Sequence, residues 1–338
     1  NNNNNNNNKR LIPGMEDVKT NHTDLSTGDR FMVIDMGGGT VDIACHEIVG
    51  DYKVKELLAP SGGAWGSTYI DKNLVHFLYQ IFGETEMRKF QSTHPDKFAI
   101  FENNIESAKI NFCATRVYRP QFYGIDVPPT FTDFMLDTYT TQAPSGDDNS
   151  VFQFLQAKVK SYSFNNTSGL FDYDGRYLNI STKVWNNLFD SNLKEIFGQI
   201  EKLLISEVFK KQPLKYMFLA GGFACSKYVQ EQFKIHFKDC SFRIIIPQYP
   251  LLSVVDGAAQ LGKRAISIEK QAAFVTSHIM PRTYGIRTCW GVDRALAHPK
   301  VKSFVKQNTF FSDVSNEMLV KNCFSVFVKQ GESVSIDK

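Results

Sequence analysis

Residues 31–36, "FMVIDM", are almost wholly apolar, and residues 40–49, "TVDIACHEIV", alternate apolar with polar positions. The first pattern predicts a buried strand, the second a strand with one covered face. Gly50 and Asp51 mark a hairpin turn, and "YKVKELLAP" alternates again as a third strand. Together they predict an antiparallel meander. A glycine-rich loop, "PSGGAWGS", then gives way to a helical period from about Thr68, with Ile70, Leu74, Phe77, Leu78 and Ile81 on one face. A second helix is expected over 98–113. A long third one starts after Ser181, a serine suited to accept the free N–H groups of a first turn. "LKYMFLAGG" reads as a short buried strand ending in a glycine pair. The helix "SKYVQEQFKIHF", the strand "FRIIIP" and the helix "LLSVVDGAAQLGKRAI" follow it. Strands followed by helices after a meander indicate an α/β domain.

The remaining stretches are less regular. Residues 1–28 open on eight asparagines and carry no packable apolar pattern, so they are expected to be a disordered, low-complexity tail. Residues 115–150 are rich in Pro, Thr, Asp and Gly and read as an irregular insertion with short strands. The whole insertion is placed at about 84–180, inside a lobe spanning 29–265. Beyond 266 the pattern shifts to short strands ("FVTSHI", "TYGIRTCW", "CFSVFV"), a β-rich extension over 266–338.

Composition narrows the picture. Of 338 residues, 42% are hydrophobic and 22% charged, as in an ordinary globular chain. The net charge of +3 is too small to argue for nucleic acid. No apolar run reaches membrane-spanning length. The six cysteines (Cys45, Cys113, Cys225, Cys240, Cys289, Cys323) form no CxxC pair, which argues against a zinc or redox motif and fits a reducing, cytoplasmic setting. Cys45 and Cys113 sit in apolar context and read as buried thiols. Sequons at Asn21, Asn165, Asn166 and Asn179 are short patterns that arise by chance.

The chemistry concentrates in "VIDMGGGTVDIA", residues 33–44. Three glycines between strands let backbone N–H groups approach an anion with no Cβ in the way. The Thr40 hydroxyl can reach a terminal phosphate or position a water. Asp35 would repel a phosphate at close range, but makes sense with Mg²⁺ and its waters between them. The alternative is a glycine-rich β-turn with no ligand. "LAGGFACSKY", 219–228, places Gly221 and Gly222 at a strand's end with a helix beyond, where a flat group can lie against backbone. Ordinary strand-to-helix punctuation would look the same.

These motifs, in this order, resemble the actin-like ATPase domain of the 70 kDa heat-shock protein family. "IDMGGGTVDIA" is similar to its second phosphate loop, "FLAGGFACSKYVQEQF" to its adenosine motif, and "IIPQYPLLSVVDGAAQLG" to its second connecting helix. "PSGGAWGSTYIDKNL", "RTYGIRTCW" and "DVSNEMLVKNCFSVFVKQGESV" resemble the divergent 12A/12B-like branch, and the likeness runs from about Phe31 to the end. It implies an actin-like (ribonuclease-H-like) second lobe and ATP or ADP with Mg²⁺ as the ligand. Asp35 would hold the metal through water, and Gly37, Gly38, Gly39 and Thr40 would meet the phosphates. Glu106 and Lys109, in "IESAKINF", would approach ribose and adenine. Gly221, Gly222 and Phe223 would line the adenosine pocket. From the residues alone, Glu106 and Lys109 are equally a surface salt bridge.

The departures carry consequences. The family's adenine-stacking arginine is Cys225 here, and an aspartate near the last helix is replaced around Leu251. No first phosphate loop, catalytic lysine or first connecting motif is found, so the chain is expected to be the second lobe and a C-terminal piece. Phosphoryl transfer depends on clamping from both sides, and losing one clamp element costs on the order of 10²-fold in rate. An ATP-binding, chaperone-like protein with weak or no hydrolysis in this chain is therefore expected, with client or signalling proteins as partners. A pseudo-ATPase interaction scaffold and a small-molecule kinase of the same superfold are the alternatives.

Overall fold

The computed structural model describes residues 25–112, 121–142, 148–267, 274–297 and 301–336. The expected tail over 1–28 lies almost wholly outside these residues, as does Cys113.

The meander forms as the alternation predicts. Strands β1 (Arg30–Met36), β2 (Val41–Gly50) and β3 (Lys53–Gly63) pair antiparallel, with the glycine triplet as the first turn and Gly50–Asp51 in the second. Met32, Ile34 and Met36 of β1 are buried beside Val41, Ile43 and Cys45 of β2, all on one face of the sheet. Three helices follow: α1 (Thr68–Phe82), α2 (Glu84–Thr93) and α3 (Pro95–Asn111). Helix α1 buries Ile70, Leu74, Phe77, Leu78 and Ile81, the stripe read from the sequence.

The insertion is more regular than its composition suggests. Strand β4 (Phe122–Asp126) leads to α4 (Pro129–Tyr139) and α5 (Asp148–Ser161). Then β5 (Phe171–Tyr173) and β6 (Tyr177–Ser181) complete a small sheet in the order β4-β6-β5. Phe82, Phe90, Phe101 and Phe131 pack as core here, fully buried and meeting edge to face with ring centroids about 5 Å apart.

Helix α6 (Thr182–Leu204) starts where expected, with the Ser181 hydroxyl accepting from the Lys183 N–H. After α7 (Glu207–Lys211), strand β7 (Tyr216–Ala220) lies parallel to β1, with Asp35 opposite Ala220. Helix α8 (Lys227–His236) and strand β8 (Arg243–Ile245) complete a five-stranded sheet in the order β3-β2-β1-β7-β8. Only β2 runs against the others. This is a mixed sheet flanked by helices, an α/β arrangement. Sheet, flanking helices and insertion share one continuous core.

Helix α9 (Ser253–Ser267) leaves Val254 and Val255 exposed. Beyond it, β9 (Ser277–Ile279) pairs with β13 (Ser333–Ser335), and Val54 of β3 bridges to Val275. Strands β10 (Tyr284–Gly291), β11 (Thr309–Ser312) and β12 (Glu317–Val328) make a separate three-stranded sheet in the order β10-β12-β11. Helices α10 (Val292–Leu296) and α11 (Lys302–Asn308) cover it, enclosing a small separate core of Ala295, Val305, Val320 and Cys323.

Candidate functional site

The triple-glycine turn is held by its carbonyls. Gly37 O accepts from Ser67 N at 3.2 Å, Gly38 O from both the N–H and the hydroxyl of Thr68 at 2.9 and 2.8 Å, and Gly39 O from Gly66 N at 3.3 Å. Gly37 N donates to Thr40 O. The N–H groups of Gly38, Gly39 and Thr40 donate to no group among the described residues. A turn with its acceptors consumed and three adjacent donors spare is a ready anion cradle. The close approach requires glycine at 66, where a Cβ would lie 2.2 Å from Gly38 O.

The second glycine pair abuts the first turn. Gly221 has a φ of +86°, and a Cβ there would lie 2.4 Å from Met36 O and 2.6 Å from Asp35 Oδ1. The two motifs, some 180 residues apart in sequence, are thus in contact, as a shared site requires. Asp35 and Asp42 stand directly opposite each other across β1 and β2, so their side chains leave the same face. Like charges in that relation are unfavourable unless a cation or water lies near. Thr40 Oγ1 donates to Asp42 at 3.1 Å, whereas the Asp35 carboxylate accepts no hydrogen bond and forms no ion pair among the described residues. No group of three or more His, Cys, Asp or Glu capable of holding a metal occurs among them. An ion here would depend on Asp35 and water, the arrangement its spacing implies.

A cleft of about 420 Å³ runs from the turn to the second motif. Gly38 and Ser67 line it together with Gly222, Phe223, Cys225 and Leu251. Glu106 and Lys109 of α3 form a wall, with Ile110 and Phe189 beside them. Of the residues singled out from the sequence, Gly38, Glu106, Lys109, Gly222 and Phe223 line it. Asp35, Gly37 and Gly221 lie just behind, while Gly39 and Thr40 continue the turn. The volume falls in the range of small-molecule sites.

Lys109 is not the surface group that its helix spacing allowed. It is only 5% exposed, and its Nζ lies 2.5 Å from Asp71 Oδ2 on α1. Burial pushes the Asp71 carboxyl above the usual carboxylate range, and the Lys109 ammonium only partly offsets this. Sequence reasoning assigned no role to Asp71, to the loop 62–67 or to Asn192. The loop had a signal in its three glycines. Asn192 had a fainter one, a polar residue on the apolar stripe of α6. Asp71 had none, since its partner is 38 positions away.

Comparison with known proteins follows the same lines. No family model matches the chain. It is 28% identical over 321 residues to heat shock 70 kDa protein 12A of Homo sapiens, covering 93% of this chain and 41% of that protein. The mouse (Mus musculus) 12A protein matches at 27% over the same shares. Heat shock 70 kDa protein 12B of Homo sapiens matches at 26% over 264 residues, 78% of this chain and 34% of that one. The chain thus spans less than half the length of these curated relatives. Among solved structures, MreB 5 of Spiroplasma citri bound to AMPPNP aligns with a TM-score of 0.39 and 15% identity, over 72% of this chain and 56% of that one. Along most of its length the chain is similar to the heat shock 70 kDa proteins 12A and 12B, the divergent branch that its motifs resemble.

Proposed function

We propose that the cleft binds ATP or ADP with Mg²⁺, and that the chain is the nucleotide-holding part of a cytoplasmic, chaperone-like protein. The observation that carries this reading is a turn with three spare N–H groups whose Gly38 lines the same cleft as Gly222 and Phe223 of the second glycine motif. Phosphates would rest on Gly38, Gly39 and Thr40, with Asp35 holding the metal through water. The base would lie between Phe223, Leu251 and Ile110, near Glu106 and Lys109. Mg²⁺, when bound, supplies charge neutralisation at the phosphates.

The same cleft supports binding more than turnover. Lys109 is its single cation among the described lining residues, and Asp71 already holds it. Cys225 and Leu251 offer no charge to an adenine or ribose. We therefore propose that this cleft holds nucleotide with weak or no hydrolysis, with a pseudo-ATPase interaction scaffold as the alternative reading. No helix among the described residues is long and apolar enough to cross a membrane.

Titration calorimetry tests the metal half of the reading. Asp35→Asn should weaken Mg·ADP binding about tenfold, while leaving metal-free ADP binding nearly unchanged. Equal Mg·ADP affinities for the two proteins would refute the metal role, and no heat for either nucleotide would refute the site.

A further inference from the structure

Asn192 is among the few buried polar residues of the described chain, only 8% exposed on the inward stripe of α6. Its Nδ2 donates to Gly66 O at 2.9 Å and to Trp65 O at 3.2 Å, 126 and 127 positions away. Two carbonyl acceptors fix the amide's orientation, because only the NH₂ end can serve both. Gly66 in turn donates to Gly39 O, and the next two residues donate to Gly37 O and Gly38 O. The order of contact is therefore α6, loop 62–67, glycine turn. Phe189, about one helical turn before Asn192, lines the same cleft.

We infer that Asn192 is the positioning residue of the anion-binding turn. It pulls the carbonyls of Trp65 and Gly66 onto α6, which aims the Gly66, Ser67 and Thr68 N–H groups at the turn. With its carbonyls so occupied, the turn presents the amides of Gly38, Gly39 and Thr40 to the cleft. The turn and the cleft lining at Phe189 are then registered against one helix. A stabilising role alone would need one hydrogen bond to any loop carbonyl, whereas here both amide protons are spent on the loop that grips the turn. The inference rests on the nucleotide reading for its ligand but not for its structural content.

The test separates the two. Asn192→Asp keeps the shape of the side chain, removes both donors and sets a carboxylate against two carbonyl oxygens. Hydrogen exchange on the full chain without nucleotide should show faster exchange at Gly66, Ser67 and Thr68, with β1 and the rest of α6 unchanged. Calorimetry should show ADP affinity falling about tenfold, the worth of one to two hydrogen bonds. Adenosine, which has no phosphates for the turn to hold, should lose less than about twofold. If the carboxylate variant does not fold, Asn192→Ser should give the same pattern at smaller amplitude. Unchanged loop exchange with ADP and adenosine weakened equally would overturn the inference. If the wild-type chain binds no nucleotide, the nucleotide reading fails, and the exchange result alone then decides the role of Asn192.

Discussion

Replacing Gly221 with alanine probes the junction on which the site depends. At a φ of +86° an L-residue is strained, and the added Cβ would stand 2.4 Å from Met36 O and 2.7 Å from its carbonyl carbon. Ordinary contact begins about 1 Å farther out. The neighbours are backbone atoms of β1, which is paired in parallel with β7 through Asp35 and Ala220, so they cannot rotate away. Gly221 N also donates to Pro250 O at 2.9 Å, which resists movement on the other side. Left-handed strain of about 1–2 kcal/mol and overpacking of about 1–3 kcal/mol give an expected loss of roughly 3 kcal/mol. Gly222→Ala is the internal control. Gly222 has a helical φ of −65°, and its nearest would-be contact is Leu251 Cδ1 at 3.5 Å, so stability should change by no more than about 0.5 kcal/mol. Urea unfolding followed by far-ultraviolet circular dichroism, with the slope held common, reads both. A loss below about 1 kcal/mol for Gly221→Ala, or equal losses for the two, would refute the packing argument.

Two further substitutions test the electrostatics. Lys109→Met should cost about 2 kcal/mol near neutral pH, less than for a fully buried pair because Asp71 keeps some solvent contact. Burial already raises the Asp71 carboxyl in the folded state, so its protonation favours folding below the unfolded value of 3.8 and that benefit is lost as pH rises through the folded value. The gap between wild type and Lys109→Met should therefore widen with rising pH; a gap that narrows in urea titrations would contradict the buried-pair geometry. Glu47 behaves oppositely: burial alone would raise its carboxyl, but Lys55 at 2.7 Å and Arg30 at 2.9 Å hold it below the usual 4.5. Its contribution is present above that value and fades on acidification, so Glu47→Gln should cost about 1 kcal/mol near neutrality and little in acid. A pH-independent difference would show that the two cations contribute only packing.

Much of the central lobe was legible because its signals are local. Alternation in "TVDIACHEIV" decides which side chains of β2 face the core, and the glycine triplet can hardly continue a strand. The stripe from Ile70 to Ile81 fixed the buried face of α1 for the same reason. The insertion was harder. Its strands β4, β5 and β6 are three to five residues long, too short for a period to register, and are held by packing against α3–α6. Site residues divided likewise. Glycine motifs announce themselves, whereas the roles of Asp71 and Asn192 exist only once α1, α3 and α6 are brought together. Lys109 shows the limit clearly: its spacing from Glu106 suggested a surface pair, but the fold buries it against an aspartate from another helix.

The central claim, that nucleotide occupies this cleft between the two glycine motifs, is tested most directly at Cys225. Its thiol is exposed and lines the cleft, while Cys240 and Cys289 are exposed elsewhere. Cys45, whose pKa burial pushes up to about 12, should stay unreactive in the folded chain. Timed labelling with N-ethylmaleimide, read by peptide mass spectrometry, gives a rate for each thiol with and without saturating Mg·ADP. The expected result is a several-fold slowing at Cys225 with Cys240 and Cys289 unaffected. An unchanged rate at Cys225, under conditions where calorimetry registers binding, would place the nucleotide elsewhere and contradict the account.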